Sequence, residues 1–165
     1  ATAMTDGAST PSQRLAVLGI ELPPVASFQP GVTLSYRRLV VAGDTGYLAG
    51  HLPVWGEEVR YRGRVGQDVS EEAAREAARL CALSMLRTIH DHLGIVNRVV
   101  CWLRVNGYVR GVEAFEGQPL VLNGFTDLVR DLWGQEWLPS RSAVGVAELP
   151  LGVCVEVDAV VEVAV

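Results

Sequence analysis

The sequence predicts an α+β domain in which two helices cover one face of a mixed β-sheet, with elements in the order β-β-α-β-α-β-β. One observation is a strict alternation of apolar and polar residues near the C-terminus, which is typical of a strand between two different environments. The other is an apolar repeat at spacings of three and four between positions 74 and 89, which indicates an amphipathic helix.

Length and composition limit the class of protein. The 165 residues fit one domain by size, and the hydrophobic share of 49% excludes a disordered chain. The net charge of −5 argues against a nucleic-acid-binding surface, which needs a basic stripe. Apolar runs are too short for a membrane span, and no signal-peptide pattern is visible. We therefore expect a cytoplasmic protein without nucleic-acid or membrane partners.

The cysteines and histidines do not form a metal-binding pattern. Cys81, Cys101 and Cys154 lie far apart in apolar surroundings, which predicts buried free thiols in a reducing compartment. His90 and His92 are two positions apart and would diverge on a helix. The sequence therefore predicts no metal site.

The N-terminal extension is expected to cover residues 1–34, before a domain at residues 35–165. Its first residues are small and polar, and Ser12 can cap a short helix that ends at Gly19. Three prolines between positions 21 and 31 indicate an extended connector.

A hairpin and a loop are expected next. Residues 33–42 and 47–49 are strand-like and flank a turn at 43–46, which predicts a first hairpin. Residues 54–68 are charged and punctuated by glycine, so they are predicted to form a loop.

The clearest helix follows this loop. Asp68 or Ser70 can cap it, and Gly94 marks the point by which it should end. A strand rich in Val, Trp and Tyr is predicted at residues 99–109.

The second helix carries apolar residues between positions 122 and 133 and ends at Gly134. Asn123 and Gly124 are poor helix formers in its first turns, since glycine costs about 1 kcal/mol relative to alanine. Either a packing or ligand contact requires them there, or the helix tolerates a weak start, and the sequence alone favours the weak start.

The C-terminal segment is predicted to be a hairpin around a turn at residues 149–152. Arg141 opens its first strand and Glu156 lies near the middle of its second. One face of the second strand is apolar, with Val153, Val155, Val157, Ala159, Val161 and Val163. Such a hairpin could bring residues to one end of the sheet, where an anion and a water could be held together.

Several motifs resemble those of the YjgF/Rid family, the reactive-intermediate deaminases, also known as endoribonuclease L-PSP and chorismate-mutase-like proteins. The strongest are Arg141-Ser142, Leu149-Pro150 and Val155-Glu156-Val157, in order and at the family's spacing. Supporting motifs are Gly43, Gly50-His51-Leu52-Pro53, Gly66-Gln67-Asp68-Val69-Ser70 and the helix with Asn123. The resemblance runs from about Tyr36 to Val163, and residues 18–23 look like a longer, poorly characterised branch.

The resemblance implies a compact homotrimer with three clefts between subunits. It also implies the hydrolysis of imines and enamines to keto acids and ammonia, without a metal or an organic cofactor. The expected partner is a small carboxylate-bearing imine or acid. Whether this chain is an enzyme at all stays open at this point.

The family's functional residues can be carried over one by one. Arg141 matches the arginine that grips the substrate carboxylate, and Glu156 matches the acid beside the attacking water. Tyr36 matches the aromatic hydroxyl that lines the cleft, and Gly50 matches the glycine whose backbone approaches the ligand. Asn123 matches the helix asparagine, although the segment from it to Arg141 is one residue longer here.

Three positions of the cleft depart from the family's pattern. Ala49 stands where members usually have serine, and His51 where they have glutamine. Ala143 replaces a frequent cysteine. The resemblance still places His51 and Ala143 among the substrate-binding positions. The changes imply either another substrate or the loss of deaminase chemistry.

Other interpretations stay open. Arg141 could form an interface salt bridge, and Glu156 could simply be solvated. His51 could add a titratable group to the site or be a surface histidine without a role. The clefts could bind a small acid without catalysis, or the protein could be a tailoring enzyme of a specialised biosynthetic pathway with a larger substrate.

Overall fold

A five-stranded mixed sheet with helices on one face forms the centre of the computed structural model, which describes residues 9–27 and 31–165. The strands lie in the order β1-β2-β7-β5-β6. The elements are α1 Pro11–Val17, β1 Leu39–Ala42, β2 Thr45–His51, β3 Val54–Trp55, β4 Glu58–Val59, α2 Glu71–Leu93, β5 Val99–Arg110, α3 Gln118–Trp133, β6 Ser140–Val146 and β7 Val155–Val163. The predicted α+β class, with α2 and α3 as its two main helices, is confirmed.

The short N-terminal helix begins earlier than predicted. Its N-cap is Thr10 and not Ser12. The Thr10 hydroxyl accepts a hydrogen bond from the backbone N–H of Gln13, and the side-chain oxygen of Gln13 accepts one from the backbone N–H of Thr10 at 2.8 Å. Pro11 suits the first helical position because the N–H it lacks would be unpaired there. Residues 1–8 of the polar tail predicted at residues 1–11, and the connector's Pro30, lie outside the described residues.

The first hairpin is confirmed, but its first strand is shorter than predicted. β1 begins only at Leu39, and residues 33–38 approach the sheet without joining it as a strand. β2 pairs with β7 on its other side, and this pairing shifts register between Leu48 and His51, as at a β-bulge. Within the predicted loop at 54–68, β3 and β4 form a small separate ribbon.

Helix α2 follows the predicted boundaries. The Ser70 hydroxyl accepts from the Ala73 amide at 3.1 Å, and Gly94 closes the helix with a φ of 85°. Helix α3 packs against α2 at Gly124, where an added methyl group would overlap the carbonyl oxygen of Arg75. Close helix packing therefore explains this glycine, and the weak-start interpretation is wrong.

The predicted C-terminal hairpin is wrong, because β6 and β7 do not pair with each other. Strand β5 lies between them, parallel to β6 and antiparallel to β7. Helix α3 supplies the crossover that a parallel pair needs. Alternation along β7 did predict its faces correctly, since the residues with odd numbers from 155 to 163 are buried.

The cysteines are free, as predicted. Cys81 and Cys154 are buried, whereas Cys101 is half-buried. Burial raises the pKa of all three thiols, so they stay protonated near neutral pH. Within residues 9–27 and 31–165, no cluster of His, Cys, Asp or Glu could hold a metal ion, and no helix is long and apolar enough to cross a bilayer.

Candidate functional site

A cavity of about 450 Å³ lies beside β2 and β7. Three of the predicted site residues line it: Tyr36 from the segment before β1, Gly50 from β2 and Glu156 from β7. The other lining residues are apolar: Val32, Leu34, Ala49, Leu52, Pro150 and Leu151. Glu156 and Tyr36 are therefore the lining residues with polar side-chain atoms.

Glu156 is half-buried and packs against the backbone of β2. A methyl group added at Gly50 would overlap the Glu156 carboxylate, so the missing side chain of Gly50 makes room for this acid. Burial raises the pKa of Glu156, and the negative charge of Asp158 raises it further. The group can thus hold and release a proton at a higher pH than an exposed glutamate.

Asp158 is held by a polar network on the same face of the sheet. The Tyr108 hydroxyl and the Asn106 amide donate to its two carboxylate oxygens at 2.8 and 2.7 Å. Arg104 extends the network by donating to Asn106 at 3.1 Å and to Ser142 at 2.5 Å. Sequence reasoning missed this network, although its β5 members stand at alternate positions of a predicted strand.

Arg141 lies on β6 and points to α3. Its guanidinium donates to the Thr126 hydroxyl at 2.9 Å and to the Pro119 carbonyl at 3.1 Å. Asn123 lies between these two partners in sequence and on the same face of the helix. Burial lowers the pKa of Arg141, and the negative charge of nearby Asp127 opposes this shift. Within the described ranges, no carboxylate forms an ion pair with Arg141.

Arg141 and Glu156 lie on opposite faces of the sheet. Arg141 pairs with Val105 and Glu156 pairs with Tyr108, and these two β5 residues are three positions apart. Directly paired residues share a face, and faces alternate along a strand. Ala143 lies on the face of Arg141, since both occupy odd positions of β6.

Within one chain, most of the predicted site residues therefore lie in two separate groups, one on each face of the sheet. Tyr36, Gly50 and Glu156 form a cavity group, defined by the cavity that they share. The other three, Arg141, Asn123 and Ala143, form an edge group on β6 and α3.

His51 belongs to neither group. It is not a surface histidine, because the residue is only 7% exposed. Its Nδ1 lies 2.6 Å from the Ala49 carbonyl oxygen, and its Nε2 lies 2.8 Å from the Thr88 hydroxyl. A carbonyl only accepts, so Nδ1 carries the proton and Nε2 accepts from Thr88. Burial lowers the pKa of His51 to about 4, so the imidazole is neutral. Its two hydrogen bonds stabilise the irregular end of β2.

Comparison with known proteins agrees with this fold. Residues 27–163 match the model of the family described as Endoribonuclease L-PSP. The chain is 35% identical to Protein TCP17 of Trypanosoma cruzi over 146 residues, which cover 88% of this chain and 89% of TCP17.

Solved structures show the same architecture. The protein Atu1372 of Agrobacterium tumefaciens, of unknown function, superposes with a TM-score of 0.82 at 33% identity, over 94% of this chain and 93% of that one. RidA from Psychrobacter sp. PAMC 21119 shares the fold with a TM-score of 0.56 at 24% identity, over 81% of this chain and 93% of RidA. The chain therefore belongs to the Endoribonuclease L-PSP family, the YjgF/Rid family that its motifs resemble.

Proposed function

We propose that this protein hydrolyses a carboxylate-bearing imine or enamine to the keto acid and ammonia. The observation that carries the proposal is the cavity group, in which Glu156 has a raised pKa and lies against Gly50 beside Tyr36. A glutamate with a raised pKa in a cavity is suited to take a proton from water and to return it later.

A second copy of the chain supplies the arginine. Arg141 cannot join Glu156 within one chain, because the two side chains leave opposite faces of the sheet. Strand β6 lies at the sheet's edge, and no strand among the described residues pairs with its outer side, which can therefore approach a neighbouring molecule. The resemblance implies that this assembly is a homotrimer, with one shared cleft at each contact.

The arginine can bind a carboxylate without leaving its place. A guanidinium has about five N–H donors, and the bonds to Thr126 and Pro119 hold it in position while other donors stay available. Two parallel hydrogen bonds to a carboxylate would then fix the substrate's orientation. Asn123, on the same helix face, borders this end of the substrate.

The reaction needs only the substrate and water. The reactant is the protonated imine. Glu156 takes one proton from water as the water oxygen bonds to the imine carbon and the π electrons of the carbon–nitrogen bond move to the nitrogen, which gives a neutral carbinolamine. Glu156 then returns this proton to the nitrogen. The carbon–nitrogen bond breaks as the hydroxyl oxygen forms the carbonyl, and the hydroxyl proton passes to the departing ammonia, so the products are the keto acid and ammonium. An enamine enters the same path after protonation at its carbon. General acid–base help of this kind contributes about 10²–10⁴-fold.

A competition assay tests the proposal. An amino-acid oxidase generates 2-imino acids, and semicarbazide traps whatever the protein has not hydrolysed. The wild-type protein should lower the yield of semicarbazone, whereas Arg141→Ala should not. If no imine in the panel is hydrolysed faster, the deaminase proposal is wrong. Calorimetric binding of a 2-oxo acid without any turnover would then identify a non-catalytic binding module.

RNA cleavage, which the family's name suggests, is not the function that we propose. The chain carries a net charge of −5, and a surface that binds the phosphate backbone needs a basic stripe. Nuclease-free protein incubated with labelled RNA should leave it intact. Cleavage that disappears in Glu156→Gln would overturn this view.

A further inference from the structure

The cavity is larger than a three-carbon acid requires. Its volume is about 450 Å³. A three-carbon imino acid has six non-hydrogen atoms, which would fill roughly 180 Å³ at a water-like share of about 30 Å³ each. Cavities of roughly 300–1,000 Å³ hold considerably larger ligands. In the single chain, the cavity therefore has space beyond that needed for the carboxylate and the imine carbon.

Apolar side chains surround this space. Leu34 comes from the segment before β1, Leu52 follows β2, and Leu151 lies in the link between β6 and β7. Leu34 and Leu151 are 45% and 41% exposed in the single chain, so both offer apolar surface to an occupant. All of them belong to the chain that carries Glu156.

Leu151 has an unusual backbone conformation. Its φ of 57° and ψ of 14° lie in the left-handed region, which disfavours residues other than Gly, Asn and Asp. Backbone strain of this kind clusters at ligand sites, where the surrounding structure holds it. A glycine or asparagine would fit this position without strain, yet the chain places a leucine at the cavity wall.

We propose that the substrate carries a bulky apolar group, branched aliphatic or aromatic, on its imine carbon, and that Leu34, Leu52 and Leu151 select it. The inference rests on the proposed function, because Glu156 and the neighbour's arginine hold the reacting end. Burying one methylene strengthens binding about fourfold. An isobutyl group in place of a methyl group should therefore raise kcat/KM on the order of 50-fold.

The test compares the imines of leucine, phenylalanine and alanine in the competition assay. Leu151→Asn replaces one side chain of the apolar wall by a polar one, and asparagine tolerates the left-handed conformation, so the fold should survive. Leu34→Asn makes the same change in the segment before β1. The control is Leu18→Asn at the end of α1, since Leu18 is 53% exposed and lies outside the cavity. Each cavity variant should lower the leucine-to-alanine ratio of kcat/KM about tenfold, and the control should not change it.

A second measurement separates this inference from the proposed function. Calorimetry compares the binding of 4-methyl-2-oxopentanoate with that of pyruvate, neither of which needs turnover. A preference for the larger acid that Leu151→Asn removes supports the inference even if no imine is hydrolysed. Turnover without a preference for the larger imines, or a preference that both cavity variants retain, overturns it and leaves the deaminase proposal standing. Absence of both binding and turnover overturns both.

Discussion

The side chains of Arg141 and Glu156 leave opposite faces of one sheet, although both belong to the motifs that identify the family. Arg141 hydrogen-bonds to Thr126 of α3, whereas Glu156 lines the cavity beside Gly50. No rotamer change can bring the two together through β5, which separates their strands. A site that uses both must combine two copies of the chain.

Glu156→Gln should lower kcat/KM about 10²–10⁴-fold, because the amide cannot take a proton from water. In the wild type, activity should fall at low pH as Glu156 becomes protonated. The pH at which it falls should lie above the usual pKa of a glutamate, because burial raises the pKa of Glu156. A pH profile of kcat/KM checks both statements. An unchanged acid limb in Glu156→Gln would assign that limb to another group.

Gly50→Ala should damage the site without unfolding the protein. The new methyl group would overlap the Glu156 carboxylate, which is the far end of a side chain and can move aside. We expect a loss of about 10²-fold in kcat/KM, comparable to a lost general base. The same change made in Glu156→Gln should have little further effect, because the two residues act through one contact. Fully additive losses would contradict that interpretation.

His51 should make the protein less stable in mild acid. Its pKa is about 4 in the folded protein, whereas an unperturbed histidine has a pKa of 6.5, so below pH 6.5 the unfolded chain binds a proton that the folded chain does not. Stability is therefore lost as the pH falls from 6.5 towards 4. Between about pH 7 and pH 5 the loss should be about 2 kcal/mol.

Urea unfolding at both pH values measures this loss. His51→Gln should reduce the difference between them, while His90→Gln, at an exposed position of α2, should leave it as in the wild type. If His51→Gln keeps the full difference, the acid sensitivity comes from other groups.

Gly124→Ala should destabilise the fold by roughly 2 kcal/mol or more, because an overpacked methyl group costs about 1–3 kcal/mol and a backbone carbonyl cannot rotate away. The carbonyl concerned is that of Arg75 in α2. Helix propensity alone predicts the opposite sign, a gain of about 1 kcal/mol. Chemical denaturation therefore distinguishes the two explanations by the direction of the change.

Local patterns in the sequence predicted local structure well. Alternation identified β7 and its buried face, and the cap at Ser70 and the glycine at 94 bounded α2. The alternation of apolar and polar residues could not identify the strands that pair with β7. It shows that one face of the strand is buried and the other is not, but it does not depend on which strand lies beside it. The predicted hairpin failed for this reason.

Some of the residues that line the cavity could be predicted from the sequence. The resemblance supplied Tyr36, Gly50 and Glu156, which do meet in one cavity. It supplied no sign of the apolar wall, since Leu34 and Leu151 belong to none of the motifs that carry the resemblance. The sequence could not predict the role of His51 either, because its hydrogen-bond partner Thr88 lies 37 residues later in the chain, on α2.

Mixing two inactive variants tests the central claim most directly. Arg141→Ala and Glu156→Gln are unfolded, refolded together and assayed for imine hydrolysis, and native mass spectrometry verifies that mixed oligomers form. If each site combines Arg141 of one copy with Glu156 of another, about a quarter of the sites regain both groups in random assemblies. The account predicts activity near a quarter of the wild-type value. A mixture no more active than its separate components, with mixed oligomers present, would contradict it.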